Sequence, residues 1–210
     1  EGKTPSEILN ISVADIACGS GIFLEEAFAY LQDYCVQWYI CNGQTDHLIE
    51  TGIDLYKLPL QEKKDILCSC IYGIDIDIHA VEVAKFSLLI KLIEDETAPS
   101  VSEVVPILPD LGDNIQFGNS LVSQTELNGI SGANRQMMEI APFDWSTINN
   151  GCGFDVIIGN PPYVNTEGMH ALLPSAEVEV YKKKYKTSHK QFDKYFIFIE
   201  QAINKINENG

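Results

Sequence analysis

Phe154-Asp155-Val156-Ile157-Ile158-Gly159-Asn160-Pro161-Pro162-Tyr163 joins a short apolar run to a proline-rich turn. A β-branched apolar run from Phe154 to Ile158 ends abruptly in Asn-Pro-Pro-Tyr. Such a run suits a strand buried on both faces of a parallel sheet. Pro161 and Pro162 have no N–H to donate, so strand pairing stops there. The turn that remains presents one side-chain amide (Asn160), carbonyls stiffened by proline and one ring (Tyr163). Ligands of open α/β sheets sit at this carboxyl end of the strands.

A turn of this composition suits a planar amino group. An exocyclic –NH2 has two donors, which the Asn160 side-chain oxygen and the Pro161 carbonyl can accept. Both acceptors draw the nitrogen towards tetrahedral geometry and free its lone pair for attack on an electrophile. Tyr163 can stack on the ring that carries the amine, as aromatic side chains do with unstacked bases. A Pro-rich loop with an incidental aromatic is the reading the stretch alone leaves open.

Upstream, Ile11 to Ala17 reads as a first strand running into Cys18-Gly19-Ser20-Gly21 and then a helix pattern through Leu31. Gly19 and Gly21 permit a tight turn and close approach of a ligand to the backbone. Leu24 stands where a dinucleotide fingerprint has its third glycine, which counts against NAD. Asp15, beside this loop, repels a pyrophosphate and favours an ammonium group. The ligand implied is a nucleoside carrying positive charge; a structural acid capping the turn is the alternative for Asp15. Residues 32–69 read as a helical insertion, and residues 1–10 as a frayed start.

Residues 70–121 hold the second and third strands. Cys70 to Asp77 gives the second, with Asp75 where ribose hydroxyls are accepted and Ile76 placed to lie against an adenine ring. Asp77 is expected to cap a helix from Ile78 to about Glu94 whose Val81, Ala84, Leu88 and Leu92 share one face. Asn114 to Phe117 is a short third strand ending in Gly118-Asn119-Ser120-Leu121. Asn119 is a candidate for the adenine amine, with a turn-forming role as its equal alternative. Residues 95–113 read as a connector, 122–153 as an irregular loop and 164–188 as another, mobile one. Residues 154–163 form the fourth strand with its turn, and 189–207 the helix that follows.

Net charge is −16, which argues against a whole-surface grip on nucleic acid. Half of the fourteen basic residues nevertheless fall between Lys182 and Lys205, and Tyr181 and Tyr185 interleave with Lys182-Lys183-Lys184 and Lys186. That stripe is either a nucleic-acid contact or a solvated face. The six cysteines lack CxxC spacing, so buried reduced thiols, no metal site and a cytosolic setting are expected. No stretch is long and apolar enough to span a membrane.

The strand-end signatures together resemble the adenine-specific (N6) DNA methyltransferases. The likeness is to the large bacterial enzymes of restriction–modification and phage-defence systems, of type IIG character. Asp15-Ile16-Ala17-Cys18-Gly19-Ser20-Gly21 is similar to that family's cofactor loop, with Ile16 in place of the usual proline. Ile71 to Asp77 resembles the ribose motif, and Gly118 to Leu121 a third motif that often has Asp at the Asn119 position. Asn160-Pro161-Pro162-Tyr163 is identical to the catalytic motif, and Lys190 to Glu200 resembles the helix after it.

The resemblance implies an α/β fold: a Rossmann-like class I sheet whose first four strands are carried here, with the later strands and upstream motif absent. The chain is expected to be a piece of a longer bacterial cytoplasmic protein and inactive alone. S-adenosylmethionine would be the cofactor, held by Asp15, Ala17, Cys18, Gly19, Gly21, Asp75, Ile76 and Asn119. The partner would be double-stranded DNA with its target adenine flipped out. A target-recognition domain, with or without a nuclease, would lie elsewhere in the parent chain. Two other functions stay open: methylation of a protein glutamine or RNA guanine amine, and a silent cofactor-binding module in a defence complex.

Overall fold

The computed structural model describes residues 2–97, 105–189, 191–208 and 210. Four strands form one parallel sheet: β1 (Val13–Asp15), β4 (Ile71–Asp75), β5 (Ile115–Phe117) and β6 (Val156–Ile157), in the spatial order β5-β4-β1-β6. Val13 pairs with Ile71 on one side and Val156 on the other. The chain therefore steps outward from β1 to β5, then returns to place β6 on the opposite flank. The order reverses between β1 and β6, the crevice where such sheets bind ligands.

Two apolar clusters cover the sheet's faces. One gathers Val13, Leu24, Phe28, Ile71, Ala84, Leu88 and Ile115 under α2 (Ile22–Cys41) and α4 (Ile78–Ile93). The Asp77 side chain accepts from the His79 N–H (2.9 Å) and caps α4, whose buried stripe is Val81, Ala84, Leu88 and Leu92. Phe28 is fully buried, and Phe28→Ala would cost about 3–5 kcal/mol through lost burial plus a cavity. The other cluster joins Ala14, Ile74, Leu121 and Phe154 to α7 (Ser175–Lys184) and α8 (Lys194–Lys205).

Several expectations need correcting. Residues 1–10 are not simply frayed: Thr4 and Glu7 form a reciprocal capping box around α1 (Pro5–Ile8), and Ile8 is buried. The insertion is not all helix. After α2 it forms an antiparallel hairpin, β2 (Ile49–Gly52) with β3 (Leu55–Lys57), before α3 (Leu60–Cys70). Lys57 and Lys63 converge on Glu96 at 3.0 and 2.8 Å, tying the hairpin and α3 to the chain after α4. Residues 122–153 contain helix α5 (Ala133–Ile140), and the expected loop 164–188 contains α6 (Thr166–Leu172) and α7.

The basic stripe is also not a stacking surface. Tyr181 and Tyr185 are core residues, Lys184 pairs with Glu126 (2.9 Å), and Lys183 pairs with Glu179 (2.6 Å). Strand β6 is not buried throughout, since Val156 is 40% exposed at the sheet edge. The thiols are free, with Cys18, Cys35 and Cys70 buried but Cys41 and Cys152 exposed. Part of the connector reading, residues 98–104, lies outside the described residues. Among those described, no helix is long and apolar enough to cross a membrane.

Candidate functional site

The strand ends bring Asp15, Asp75 and the Asn-Pro-Pro-Tyr turn to one edge of the sheet. Asp15 is 2% exposed and accepts from the Ala17 N–H (2.9 Å). Burial, and secondarily the negative charge of Asp75, push its carboxyl up to about 6 against that hydrogen bond. Asp75 accepts from the N–H groups of Gly19 (2.8 Å) and Asp77 (2.9 Å), one on each oxygen. Each oxygen keeps a further lone pair for a hydroxyl.

The glycine loop is locked to its neighbours by hydrogen bonds to its backbone and to that of the strand before it. Cys18 N–H donates to the Ile74 carbonyl (3.0 Å), and Ser120 Oγ donates to the Ile16 carbonyl (2.6 Å). Gly19 has φ 53° and open space where a side chain would project, so a ligand can meet its backbone. Gly21, at φ 89°, begins α2. Cys18 is buried and its thiol is raised far above its ordinary value by burial, beside two carboxylates. It is a packing residue rather than a nucleophile. Ile76 is 45% exposed at the end of β4, an apolar surface offered outward.

Asn119 is placed differently from the adenine-binding expectation. It is 3% exposed; its Nδ2 donates to Glu177 Oε1 (3.0 Å) and its Oδ1 accepts from the Leu121 N–H (3.1 Å). The bond to the residue two ahead is a turn-forming one. Glu177 also accepts from the Tyr181 hydroxyl and faces Lys194 Nζ (3.5 Å), so Asn119 belongs to a buried polar network. Sequence reading missed that network because its members come from three separate segments.

The Asn-Pro-Pro-Tyr turn lies across the switch point from Asp15. Ile158 N–H donates to the Ala14 carbonyl (2.9 Å), the last bond before the turn. Gly159 has φ 148°, and a Cβ there would lie 2.5 Å from Asp15 Oδ1. Only glycine lets the turn pass so close to that carboxylate. Asn160 is exposed, and its side chain makes no hydrogen bond among the described residues; Tyr163 is 70% exposed. A cavity of about 160 Å³ joins Asp15, Ala17, Gly159, Pro161, Tyr195 and Phe198. A larger apolar groove of about 920 Å³ runs along β6, Phe23 and Tyr30.

Asp155 and Asp193 were not predicted as supports of this turn. Ser12 donates its N–H (2.8 Å) and hydroxyl (2.9 Å) to Asp155 Oδ2, fastening the start of β6 to β1. Asp193 caps α8 and accepts from the Tyr195 N–H (2.9 Å) and the Val164 N–H (3.2 Å). Its place directly before the helical pattern of Lys194–Lys205 is the sequence signal for that cap.

Comparison with known proteins gives these parts a common context. Residues 69–210 match the model of the Eco57I restriction-modification methylase family. The whole chain is 46% identical to the type II restriction enzyme and methyltransferase RM.Eco57I of Escherichia coli, and spans 20% of that protein. It is 24% identical over 203 residues to the type II methyltransferase M.BstVI of Geobacillus stearothermophilus, covering 96% of this chain and 27% of the relative. The fold is similar to a nuclease-deletion mutant of the Type ISP restriction-modification enzyme LlaGI, solved with a DNA substrate mimic. That likeness has a TM-score of 0.52 at 16% identity, over 96% of this chain and 15% of that one.

Proposed function

The chain belongs to the Eco57I restriction–modification methylase family, and we propose that it carries the cofactor-binding and catalytic centre of an adenine-specific DNA methyltransferase. The sheet is then a Rossmann-like class I methyltransferase core, with S-adenosylmethionine as cofactor and the N6 amine of a DNA adenine as acceptor. The observation that carries this reading is Asn160: an exposed amide without a hydrogen-bond partner among the described residues, beside a buried carboxylate at the switch point.

The residues at the ends of β1 and β4 fit that cofactor. Asp15 would attract its amino group, Asp75 would accept its ribose hydroxyls, and Ile76 would lie against its adenine. Gly19 and Gly21, with Ala17 and Cys18, would let it approach the loop backbone. S-adenosylmethionine supplies a methyl group on a sulfonium, an electrophile that needs no further activation.

The chain's own residues do the rest. A target base leaves the duplex stack at a cost of a few kcal/mol. Tyr163 stacks on it, while the Asn160 oxygen and the Pro161 carbonyl each accept one hydrogen of its amine. Pro162 removes a backbone donor that would compete for those acceptors. The amine loses its proton only after attack, so no prior general base is needed, and positioning supplies most of the acceleration. Target recognition, with or without a nuclease, belongs to other parts of the full-length protein. A bacterial cytoplasmic setting follows from the same reading.

Purified full-length protein, incubated with methyl-labelled S-adenosylmethionine and plasmid DNA free of adenine methylation, tests this. Label recovered as N6-methyladenine is the expected result. Label in protein or RNA instead, or no transfer at all, contradicts the proposal.

A further inference from the structure

The first turn of α8 reaches back to the Asn-Pro-Pro-Tyr turn and grips it at two levels. Along the backbone, Val164 donates its N–H to Asp193 Oδ1 (3.2 Å), and its carbonyl accepts from the Lys194 N–H (2.8 Å). Asn165 and Asp193 form an antiparallel bridge, and Thr166 Oγ1 exchanges hydrogen bonds with the Phe192 backbone at 2.8 Å. At the side-chain level, the Tyr195 ring stacks on Tyr163, with centroids 5.1 Å apart and planes within 9° of parallel. Tyr195 also lines the small cavity shared with Asp15 and Pro161.

Parallel rings at this spacing leave no room for a third ring between them. One face of Tyr163 is therefore covered, and a single face is open. We infer that Tyr195 is a positioning residue: it backs Tyr163 and fixes the plane on which an incoming planar base stacks. The inference rests on the proposed role of Tyr163 and assigns a partner to it. An unsupported tyrosine, 70% exposed on a loop, would sample several rotamers and lose entropy on stacking. The Tyr195 ring removes that cost beforehand, while the Asp193 bonds hold the backbone beneath it. The hydroxyl of Tyr195 has no part in this, so phenylalanine should serve equally well.

The test is a double-mutant cycle in the full-length protein, measuring methyl transfer to plasmid DNA free of adenine methylation and, separately, binding of S-adenosylmethionine by calorimetry. Tyr195→Leu should reduce kcat/KM for DNA about two- to tenfold, the range of one aromatic stacking contact. Cofactor affinity should stay unchanged, and Tyr195→Phe should keep wild-type kinetics. In a Tyr163→Leu background, Tyr195→Leu should have no further effect. An equal loss in that background, or a parallel fall in cofactor affinity, would overturn the inference and leave Tyr195 a packing residue. Full activity of Tyr163→Leu by itself would overturn the reading of Tyr163 on which the inference rests.

Discussion

The ends of β1 and β6 are neighbours at one switch point, yet they are built in opposite ways. At the β1 end the polar groups are sunk and spoken for: Asp15 is 2% exposed and bonded to the Ala17 N–H. Asp75, on the adjacent strand, accepts from two backbone N–H groups. At the β6 end Asn160 is exposed and without a partner among the described residues. On the proposed function, the difference follows from what each end has to hold. Carboxylates that attract a cation need fixed donors to hold their charge in a partly dry place. An amide that must accept a substrate's hydrogens needs its acceptor left free. Its rigidity comes from elsewhere: two prolines within the turn, and Asp193 with Tyr195 behind it.

Four substitutions in the full-length protein test whether the two ends act separately. Asn160→Ala should reduce methyl transfer by at least about 10²–10³-fold, the scale of losing one preorganised polar group at a reacting centre. Its cofactor affinity should remain within a few fold, as checked by calorimetry, since the β1 end is untouched. Gly159→Ala sits on the seam between the two ends. Its methyl group would meet Asp15 Oδ1 at 2.5 Å in a backbone conformation, φ 148°, that side chains rarely adopt. Transfer should fall about 10²-fold through misplacement, and here cofactor affinity should fall with it. Normal cofactor binding by this variant would separate the two ends that the structure joins.

Asp15 gives a pH signature. Burial first, and Asp75 second, raise its carboxyl to about 6. An acid raised on folding contributes stability that is gained as pH falls through that value, so the fold tolerates its protonation. Binding a cationic amino group has the opposite preference, because it needs the carboxylate. Cofactor affinity should therefore decline below pH of about 6, by up to about tenfold per unit. Asp15→Asn should bind more weakly at pH 7.5 and lose that dependence; a titration by calorimetry from pH 5 to 8 reads both.

The smallest effect concerns the fastening of β6. Burial opposes ionisation of Asp155, but the hydrogen bonds from Ser12 and Asn207 outweigh it and hold its carboxyl below the ordinary 3.8. A depressed acid contributes stability above its ordinary value and loses it as pH falls through its folded value. Ser12→Ala should lower stability by about 0.5–1.5 kcal/mol at neutral pH. The deficit should shrink as pH drops below 3.8. Thermal unfolding of the two proteins across that range measures it.

Much of this arrangement was legible in the sequence because local and tertiary signals agree there. The β-branched run before Asn160, the glycine loop after Asp15 and the Asp77 cap each do locally what the sheet requires globally. Elsewhere they part. The hairpin β2–β3 is half-exposed and shows no clean alternation, so residues 32–69 read as helix. Residues 164–188 read as a mobile loop, yet α7 within them buries Glu177 to 1% exposure. Its partners Lys194 and Asn119 lie 17 and 58 residues away, which no local pattern reveals. The same distance hides the Glu177 partner of Asn119, whose turn-forming role, one of its two readings, matches its bond from the Leu121 N–H. Residues 4–7 carried a readable capping box, but a four-residue helix is too short for periodicity to confirm.

On the proposed function, the free acceptors of the Asn-Pro-Pro-Tyr turn hold the amine of a DNA adenine. Single-molecule methylation sequencing tests it most directly, on DNA from cells expressing the full-length protein and, in parallel, its Asn160→Ala variant. The wild type should leave N6-methyladenine at one defined sequence and the variant none. The same methylation in both samples, or unmodified DNA in both, would contradict it.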